Sequence, residues 1–400
     1  MKDKKRIFLA VFFAFICSFA FSYPLYSPTW GFRIDLPEGY EFSGGDKKDR
    51  FSFESSEGAM FDLIVYYAEP GKAAPYANVE ALAQDVQRRL NNSGDIDSFE
   101  YHHKKACILE LAFSVPDTRG RPSPMSGWAL CMELGRPGAV QRRNDNRTPA
   151  GPPPLLFAMA YGPEGQDALM PFHFSALDSI VPEEADRWYP GPITEYSYPR
   201  ETRIETPVFG LDINAQIYEE DAEAAQALVD REFLVLRYYV DSPAWKEAWI
   251  RFYRAIYRDS FDRLNDVAFQ VERKLNVPSR PDRDFADQAL QWVQSFSYER
   301  DFSGSDFVNT VSAAVEGRGD CDSRAMLWAV IIKHANIRSA IMVSRNYSHA
   351  MGLADLPGPG AHFEVEGKQY LVAETTAKVS IGLIGETVSE VSEWLGIDFE

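Results

Sequence analysis

The pattern of apolar and polar positions in residues 23–183 predicts a unit built mainly from β-strands. Strands are indicated by short runs rich in β-branched and aromatic residues that end at Gly, Pro, Asn or Asp. Such runs lie at residues 31–36, 50–54, 60–68, 99–102, 106–115, 127–134 and 155–161. Helices are predicted at 79–90, where Leu or Val recurs at steps of four, and at 165–180. Strands, a helix, more strands and a second helix are together typical of an α+β sandwich.

The pattern becomes helical in the second half of the chain. The predicted organisation is a linker at 184–218, a helical segment at 219–280 and a C-terminal domain at 281–400. The linker is rich in Pro, Glu and Tyr, with one strand near 202–209. One long amphipathic helix is expected to start at Ser242 and Pro243, as N-cap and first helical residue, and to end before Pro278.

The C-terminal domain is predicted to place one strongly apolar helix among short strands. Asp320 is a suitable N-cap for a helix at 322–335, which contains almost no helix-breaking residues. Another helix is expected at 285–296. Strands are predicted at 339–343, 350–353, 363–365 and 369–372.

The first 22 residues have the pattern of a secretory signal peptide. A basic stretch at 2–6 precedes an apolar run at 7–21, and Ala20 and Ser22 fit cleavage before Tyr23. The run is short for a membrane span, which takes about 20 residues, and no later segment is apolar enough to span a bilayer. We therefore expect an exported protein, periplasmic or secreted, with an uncleaved N-terminal membrane anchor as the alternative.

The composition is acidic, and export would make it more so. The net charge of −18 becomes −21 when the signal peptide removes four positive charges and one negative charge. This charge argues against nucleic acid as a partner and fits a soluble exported protein. The six histidines are scattered and no cysteine pair has ligand spacing, so we expect no metal and no cofactor.

Three cysteines remain in the predicted mature chain. Cys107 and Cys131 lie on two predicted strands joined by a turn near Arg119, and this hairpin would place them opposite each other. They could form a disulfide or stay as buried thiols. Cys321 is left over, and a leftover cysteine in an exported protein is a candidate reactive thiol.

Cys321 stands where a glycine-rich stretch, residues 317–319, meets the predicted helix. A thiol at a helix N-terminus faces unpaired N–H groups and the positive end of the helix dipole, so we predict a lowered pKa. His349 and then Glu374 follow in the order expected of a Cys–His–carboxylate hydrolase or acyltransferase. A structural role for Cys321 is the alternative, and His362 is a rival base on the same predicted sheet.

These residues resemble the transglutaminase-like superfamily in its bacterial form. The matching segments are Trp292-Val293-Gln294 with Tyr298, Gly319-Asp320-Cys321 with Ala325, Ser348-His349-Ala350, and residues 367–376 ending in Glu374-Thr375-Thr376. The resemblance covers about residues 285–377. It implies a papain-like α/β fold with Cys321 as nucleophile, His349 as general base and Glu374 orienting the imidazole, although the family usually has Asp at this last position.

The oxyanion of such an enzyme needs hydrogen-bond donors near the sulfur. The backbone N–H of Cys321 is expected to supply one, and Gln294 and Tyr298 are candidates for the other. The thioester that follows could be attacked by water or by an amine, and the sequence leaves this choice open.

Residues 26–37 and 174–180 resemble the two ends of PsbP-like domains, which are mostly binding or scaffold modules. Together these features predict an exported two-domain transglutaminase-like cysteine hydrolase that acts on peptide or protein amides. The alternatives are a catalytically inactive binding or scaffold protein of the cell envelope, and an amine acyltransferase that cross-links through the same triad.

Overall fold

The computed structural model describes residues 24–92, 94–116, 119–135, 152–276, 281–300 and 305–399 of the 400-residue chain. It is a mixed α+β protein with several sheets. Within these ranges no helix combines the length and the apolar character needed to cross a bilayer. The predicted signal peptide lies outside the described residues.

An antiparallel sheet of seven strands forms the first unit. Its strands are β3 Tyr40–Gly45, β4 Arg50–Ser55, β5 Met60–Tyr66, β6 Ile96–Tyr101, β7 Lys104–Pro116, β8 Pro122–Glu133 and β9 Leu155–Pro163. Their order across the sheet is β3-β4-β5-β9-β8-β7-β6. A short pair, β1 Leu25–Tyr26 and β2 Arg33–Ile34, precedes them. The sequence predicted six of the seven sheet strands but not β3.

Two helices cover the two faces of this sheet, α1 Val79–Leu90 and α2 Met170–Asp178. The reason is visible in β5, where Phe61, Leu63 and Val65 pack on the α2 side. The alternate residues Met60, Ile64 and Tyr66 pack on the α1 side. The α1 prediction is confirmed at both ends. The predicted helix at 165–180 is replaced by a one-turn 3-10 helix followed by α2.

The cysteine hairpin forms in the predicted register. β7 and β8 are paired so that Cys107 lies directly opposite Cys131, and the turn is centred on Arg119. Both cysteines are free thiols with no exposed surface. Of the two possibilities left by the sequence, the structure therefore contains the buried thiols.

Residues 184–218 are folded rather than extended. They contain α3 Pro192–Ser197 and a hairpin of β10 Arg203–Pro207 and β11 Asn214–Tyr218. The buried Asp178 carboxylate accepts the backbone N–H groups of Ile193 and Thr194, both at 2.8 Å. These contacts satisfy the first N–H groups of α3 and fix the segment against the first unit.

Six further helices and a second sheet form the rest of the described chain. The helices are α4 Asp221–Tyr239, α5 Trp245–Arg263, α6 Asn265–Leu275, α7 Asp282–Val293, α8 Thr310–Glu316 and α9 Cys321–His334. The sheet strands are β14 Ser339–Ser344, β15 His349–Ala354, β16 His362–Val365, β17 Lys368–Ala373 and β18 Leu395–Asp398, in the order β16-β17-β15-β14-β18. A parallel pair, β12 Ser297–Tyr298 and β13 Arg318–Gly319, lies just before α9.

The predicted single long helix before Pro278 is wrong, because the chain forms α5 and α6 with a break at the buried Leu264. A long-range contact stabilises the break. Asp266, in the first turn of α6, accepts the backbone N–H of Gln216 in β11 at 2.6 Å. The predicted N-cap is also wrong, since α5 begins at Trp245 without a side-chain cap.

Helix α9 is buried on almost all sides between other helices and the second sheet. A helix that is apolar all round is stable only in such surroundings. Its Trp328 packs against β15 at Gly352, where an added Cβ would lie 2.4 Å from the indole ring. This close approach holds the middle of α9 against the strand that begins with His349.

Candidate active site

Cys321 is the first residue of α9, and its position is fixed by the turn before it. Asp320 is the N-cap as predicted, because its Oδ1 accepts the Ser323 backbone N–H at 2.8 Å and the Ser323 hydroxyl at 2.6 Å. Gly319 has a φ of +152°, and a Cβ there would lie 2.8 Å from the Cβ of Ser323. The glycine before the cap is therefore required for the turn that presents the thiol.

The Cys321 sulfur is buried among polar groups, with 4% of the residue exposed. Its S–H donates to Oδ2 of Asp322 at 3.4 Å. The backbone N–H of Ala350 points to the sulfur from the other side. The Tyr298 hydroxyl also lies within hydrogen-bonding reach of it, and burial raises the pKa of Tyr298 to about 12.

The surroundings of Cys321 raise the pKa of its thiol. Burial is the largest cause, the negative charges of Asp322 and Asp320 add to it, and the Ala350 N–H acts in the opposite direction. The prediction of a lowered pKa is therefore wrong for this arrangement. It considered the helix dipole alone, whereas burial and the two acidic neighbours disfavour a negative charge on the sulfur. The same burial, with the charge of Asp322, raises the pKa of Asp320 to about 8.

His349 and Glu374 are hydrogen-bonded to each other. Nε2 of His349 lies 2.8 Å from Oε2 of Glu374. Because an ionised carboxylate only accepts, Nε2 carries the hydrogen and Nδ1 is left as the basic nitrogen. The other oxygen of Glu374 accepts the backbone N–H of Thr376 at 2.8 Å and its hydroxyl at 2.6 Å.

The electrostatics of this pair favour an ionised Glu374. Burial pushes the pKa of the Glu374 carboxyl up, but the hydrogen bonds and charge from His349 and the hydrogen bonds from Thr376 outweigh it, so the pKa is lowered. Only 6% of Glu374 is exposed, which argues against a surface carboxylate.

The start of β15 brings this pair to the N-terminal end of α9, where Cys321 lies. His349 is the residue before Ala350, whose N–H faces the sulfur. Trp394 packs edge-to-face on the imidazole with a centroid distance of 6.0 Å. The three residues predicted as a triad are thus gathered in one region, with the thiol hydrogen-bonded to Asp322 in this state.

His362 lies elsewhere. It is exposed on β16, separated from β15 by β17, and its Nδ1 bonds the Gly360 carbonyl at 2.9 Å. The contact with Glu374 is made by His349.

Gln294 has a different environment from the one expected of an oxyanion donor. Its Nε2 donates to the backbone carbonyls of Glu374 at 2.8 Å and Val379 at 2.9 Å. With both amide hydrogens engaged, Gln294 fixes the loop after β17, and Tyr298 is the candidate side chain that faces the sulfur.

Two further residues shape the site and were not singled out from the sequence. Arg324 is buried and donates to the Gly319 carbonyl at 3.1 Å, with its guanidinium 5.5 Å from the centre of the Tyr298 ring. Tyr253 of α5 donates its hydroxyl to Asp322. The sequence could have indicated Arg324, because an arginine inside an otherwise apolar helix is unusual. It contains no comparable signal for Tyr253, which reaches the site from a distant helix.

One group of possible metal ligands exists among the described residues. The ligand atoms of Asp320, Cys321 and Asp322 lie within 4.8 Å of one another. Hydrogen bonds within the fold explain why these three residues lie close together. Asp320 caps α9, and Asp322 accepts from Tyr253 and from the thiol. The arrangement is that of a capped helix start.

Comparisons with known proteins leave the family open. No family model matches the chain, and no curated protein matches it. Among solved structures, the chain is similar to one from Parabacteroides distasonis described as a "putative protease", with 9% identity and a TM-score of 0.19, covering 81% of this chain and 68% of that one. A likeness at this level carries no argument about fold or activity.

Proposed function

We propose that this chain is an exported, transglutaminase-like cysteine hydrolase that cleaves peptide or protein amide bonds. The observation that supports it most is the 2.8 Å contact between His349 and Glu374 at the strand end that faces Cys321. A carboxylate that holds one imidazole nitrogen leaves the other to act as a base on a neighbouring thiol.

The reaction begins when the thiol exchanges Asp322 for His349 as its partner. Nδ1 of His349 takes the Cys321 proton, and the sulfur attacks the substrate carbonyl to form a tetrahedral intermediate. The C–N bond then breaks, the leaving amine takes the proton from the imidazolium, and a thioester remains on Cys321. Water, deprotonated by His349, cleaves the thioester to a carboxylic acid and restores the thiol.

The negative oxygen of the tetrahedral intermediate needs two donors at its position. The backbone N–H of Cys321, at the start of α9, is one candidate. The Tyr298 hydroxyl is the other, because it already approaches the sulfur. Gln294 acts here as a positioning residue for Glu374.

A second candidate function is a catalytically inactive scaffold or binding protein. The observation that favours it is the raised pKa of the Cys321 thiol, which burial and the two flanking carboxylates cause. Such a thiol has little thiolate at neutral pH and is a weak nucleophile.

The test is the rate at which iodoacetamide alkylates Cys321 between about pH 5 and pH 10, followed by mass spectrometry. If His349 is the base, His349→Gln slows alkylation at neutral pH about tenfold or more, and the matched variant His362→Gln does not. Cys107 and Cys131 in the same molecule report any general unfolding. Equal rates in wild type and His349→Gln would favour the scaffold.

Two further measurements separate the remaining alternatives. Release of peptide fragments indicates hydrolysis, whereas incorporation of a fluorescent primary amine into a glutamine peptide indicates the acyltransferase. N-terminal sequencing of the protein recovered outside the cytoplasm tests export, with Tyr23 expected as its first residue.

A further inference from the structure

A cavity of about 300 Å³ lies between the first unit and helix α5, away from Cys321. One wall comes from β2 and the residues after α2, and the opposite wall comes from α5. Small-molecule sites are commonly of this size, are mostly apolar with a few polar groups, and often lie at domain interfaces.

Most of the cavity wall is apolar. Ile34, Val181 and Leu228 contribute aliphatic surface, and Trp188 and Tyr257 contribute aromatic rings. Tyr257 is held in place by stacking on Phe399 with a centroid distance of 3.9 Å. This surface suits the hydrocarbon body of an organic molecule better than a small inorganic ion.

Helix α5 brings a row of arginines to the same cavity, Arg251, Arg254 and Arg258. Arg251 is neutralised by Glu232, at 2.6 Å, and by Glu38, at 3.3 Å. It belongs to the contact between the two units, and these two carboxylates balance its charge, while its Nη2 has no hydrogen-bond partner among the described residues.

Other carboxylates in the wall are also paired. Asp178 is bound by Arg231, and Asp259 by Arg263 at 2.9 Å. These pairs remove most of the negative charge that would repel an anion.

Arg254 and Arg258 have no carboxylate in ion-pair contact among the described residues. Arg258 donates to neutral acceptors, namely the carbonyls of Tyr189, Asp178 and Ile180 and the Tyr101 hydroxyl. Arg254 donates through Nε to the Asp398 carbonyl at 3.1 Å. Within the described part of the chain, its two terminal nitrogens have no hydrogen-bond partner.

Asp35 also lines the cavity, and the charges of the three arginines act on its carboxyl group. Burial raises the pKa of Asp35, and the charges of Arg251, Arg254 and Arg258 act in the opposite direction.

We propose that this cavity is a second site, which binds a small organic carboxylate with its apolar body against Trp188 and Tyr257 and its carboxylate on Arg254. An arginine fork with free terminal nitrogens matches a carboxylate in geometry and charge. The apolar wall provides the remaining affinity.

Isothermal titration of the mature chain with 2-naphthoate tests this, with 2-naphthamide as a neutral probe of the same shape. We expect naphthoate to bind at least about tenfold more tightly than the amide, since only the carboxylate forms a charge-assisted pair with Arg254. Arg254→Gln removes that preference, whereas the exposed Arg273→Gln, distant on α6, leaves it unchanged.

A second variant keeps the test decisive if Arg254→Gln does not fold. Ala255 is half-buried in the cavity wall, so Ala255→Phe fills the space without touching an ion pair and abolishes naphthoate binding. The proposal is overturned if naphthoate and naphthamide bind equally. It is also overturned if naphthoate gives no heat up to about 10 mM, if Ala255→Phe still binds it, or if inorganic phosphate competes as well as naphthoate does.

Discussion

The cysteines of the seven-stranded sheet and the cysteine of α9 are all buried, yet they differ in what surrounds the sulfur. Cys107 and Cys131 face each other across β7 and β8 beneath the apolar face of α1. Cys321 lies instead among Asp322, the Ala350 N–H and the Tyr298 hydroxyl. Burial raises the thiol pKa in both regions.

This difference shows that exposure alone does not separate a structural thiol from a candidate nucleophile. The Cys131 sulfur lies in an apolar cluster, and the Cys107 sulfur contacts the Ser98 hydroxyl at 3.4 Å. A neutral hydroxyl is a poor base, so it does not take the proton of the thiol. The Cys321 sulfur lies at a helix start, near the His349–Glu374 pair and two hydrogen-bond donors. It can lose its proton and become a thiolate once its hydrogen-bond partner changes from Asp322 to His349. The predictions below test whether the two regions differ in chemistry as well as in composition.

The largest effect is expected from removing the α9 thiol. Cys321→Ala should lower peptide hydrolysis about a thousandfold or more, because the covalent step has no other nucleophile. Cys107→Ala should leave the rate per folded molecule unchanged. Both are measured by release of peptide fragments, and activity that survives Cys321→Ala would remove the distinction between the regions.

The second largest effect is expected from removing the negative charge of Asp322. Asp322→Asn keeps an acceptor for the Tyr253 hydroxyl but removes a negative charge beside Cys321. The thiol pKa should fall, and alkylation of Cys321 at pH 7 should rise about tenfold for each unit of that fall.

Glu223→Gln, an exposed carboxylate of α4, serves as the matched control. It changes the net charge by the same amount without a contact to the site. A rate for Asp322→Asn that stays at the wild-type level would mean that burial by itself sets the reactivity of Cys321.

The free energy of unfolding should depend more on the cysteines of the seven-stranded sheet than on Cys321. Cys131→Ser places a hydroxyl in the apolar layer under α1 and should lower the free energy of unfolding by about 1–3 kcal/mol. Cys321→Ser should lower it less, since Asp322 can accept from the new hydroxyl. Urea denaturation of both variants measures the difference, and equal losses would contradict it.

The smallest effect is a pH dependence at Glu374. Its pKa in the folded chain is lowered below the ordinary 4.5, so the unfolded chain binds the proton more readily. The stabilisation is therefore present above about pH 4.5 and is lost as the pH falls through the lower folded value.

Glu374→Gln should consequently be less stable than wild type at pH 7, by about 1–2 kcal/mol, and the two should converge in acid. Thermal unfolding between about pH 3 and pH 7 measures this. A gap that stays constant over that range would mean that the charge of Glu374 does not contribute to stability.

Local sequence patterns were enough to predict much of the secondary structure and to select the candidate triad. Asp320 caps α9 as its residue type predicts, and the turn at Arg119 sets the register of the two sheet cysteines. Cys321, His349 and Glu374 each lie in a short segment with its own pattern, so their roles could be proposed without knowing the fold.

Features that depend on contacts between distant segments were missed. The break at Leu264 depends on Asp266 meeting β11, and β18 is defined only by its pairing with β14. The raised pKa of Cys321 depends on burial under helices and sheet that no local pattern describes. Sequence patterns therefore identified the groups at the site but not the environment that sets their charge.

Trp394 covers the imidazole of His349, and the strand that follows it supplies the last pairing of the second sheet. During synthesis these residues leave the ribosome after every other part of the site. The shielded form of the histidine is therefore reached only once this late segment has docked.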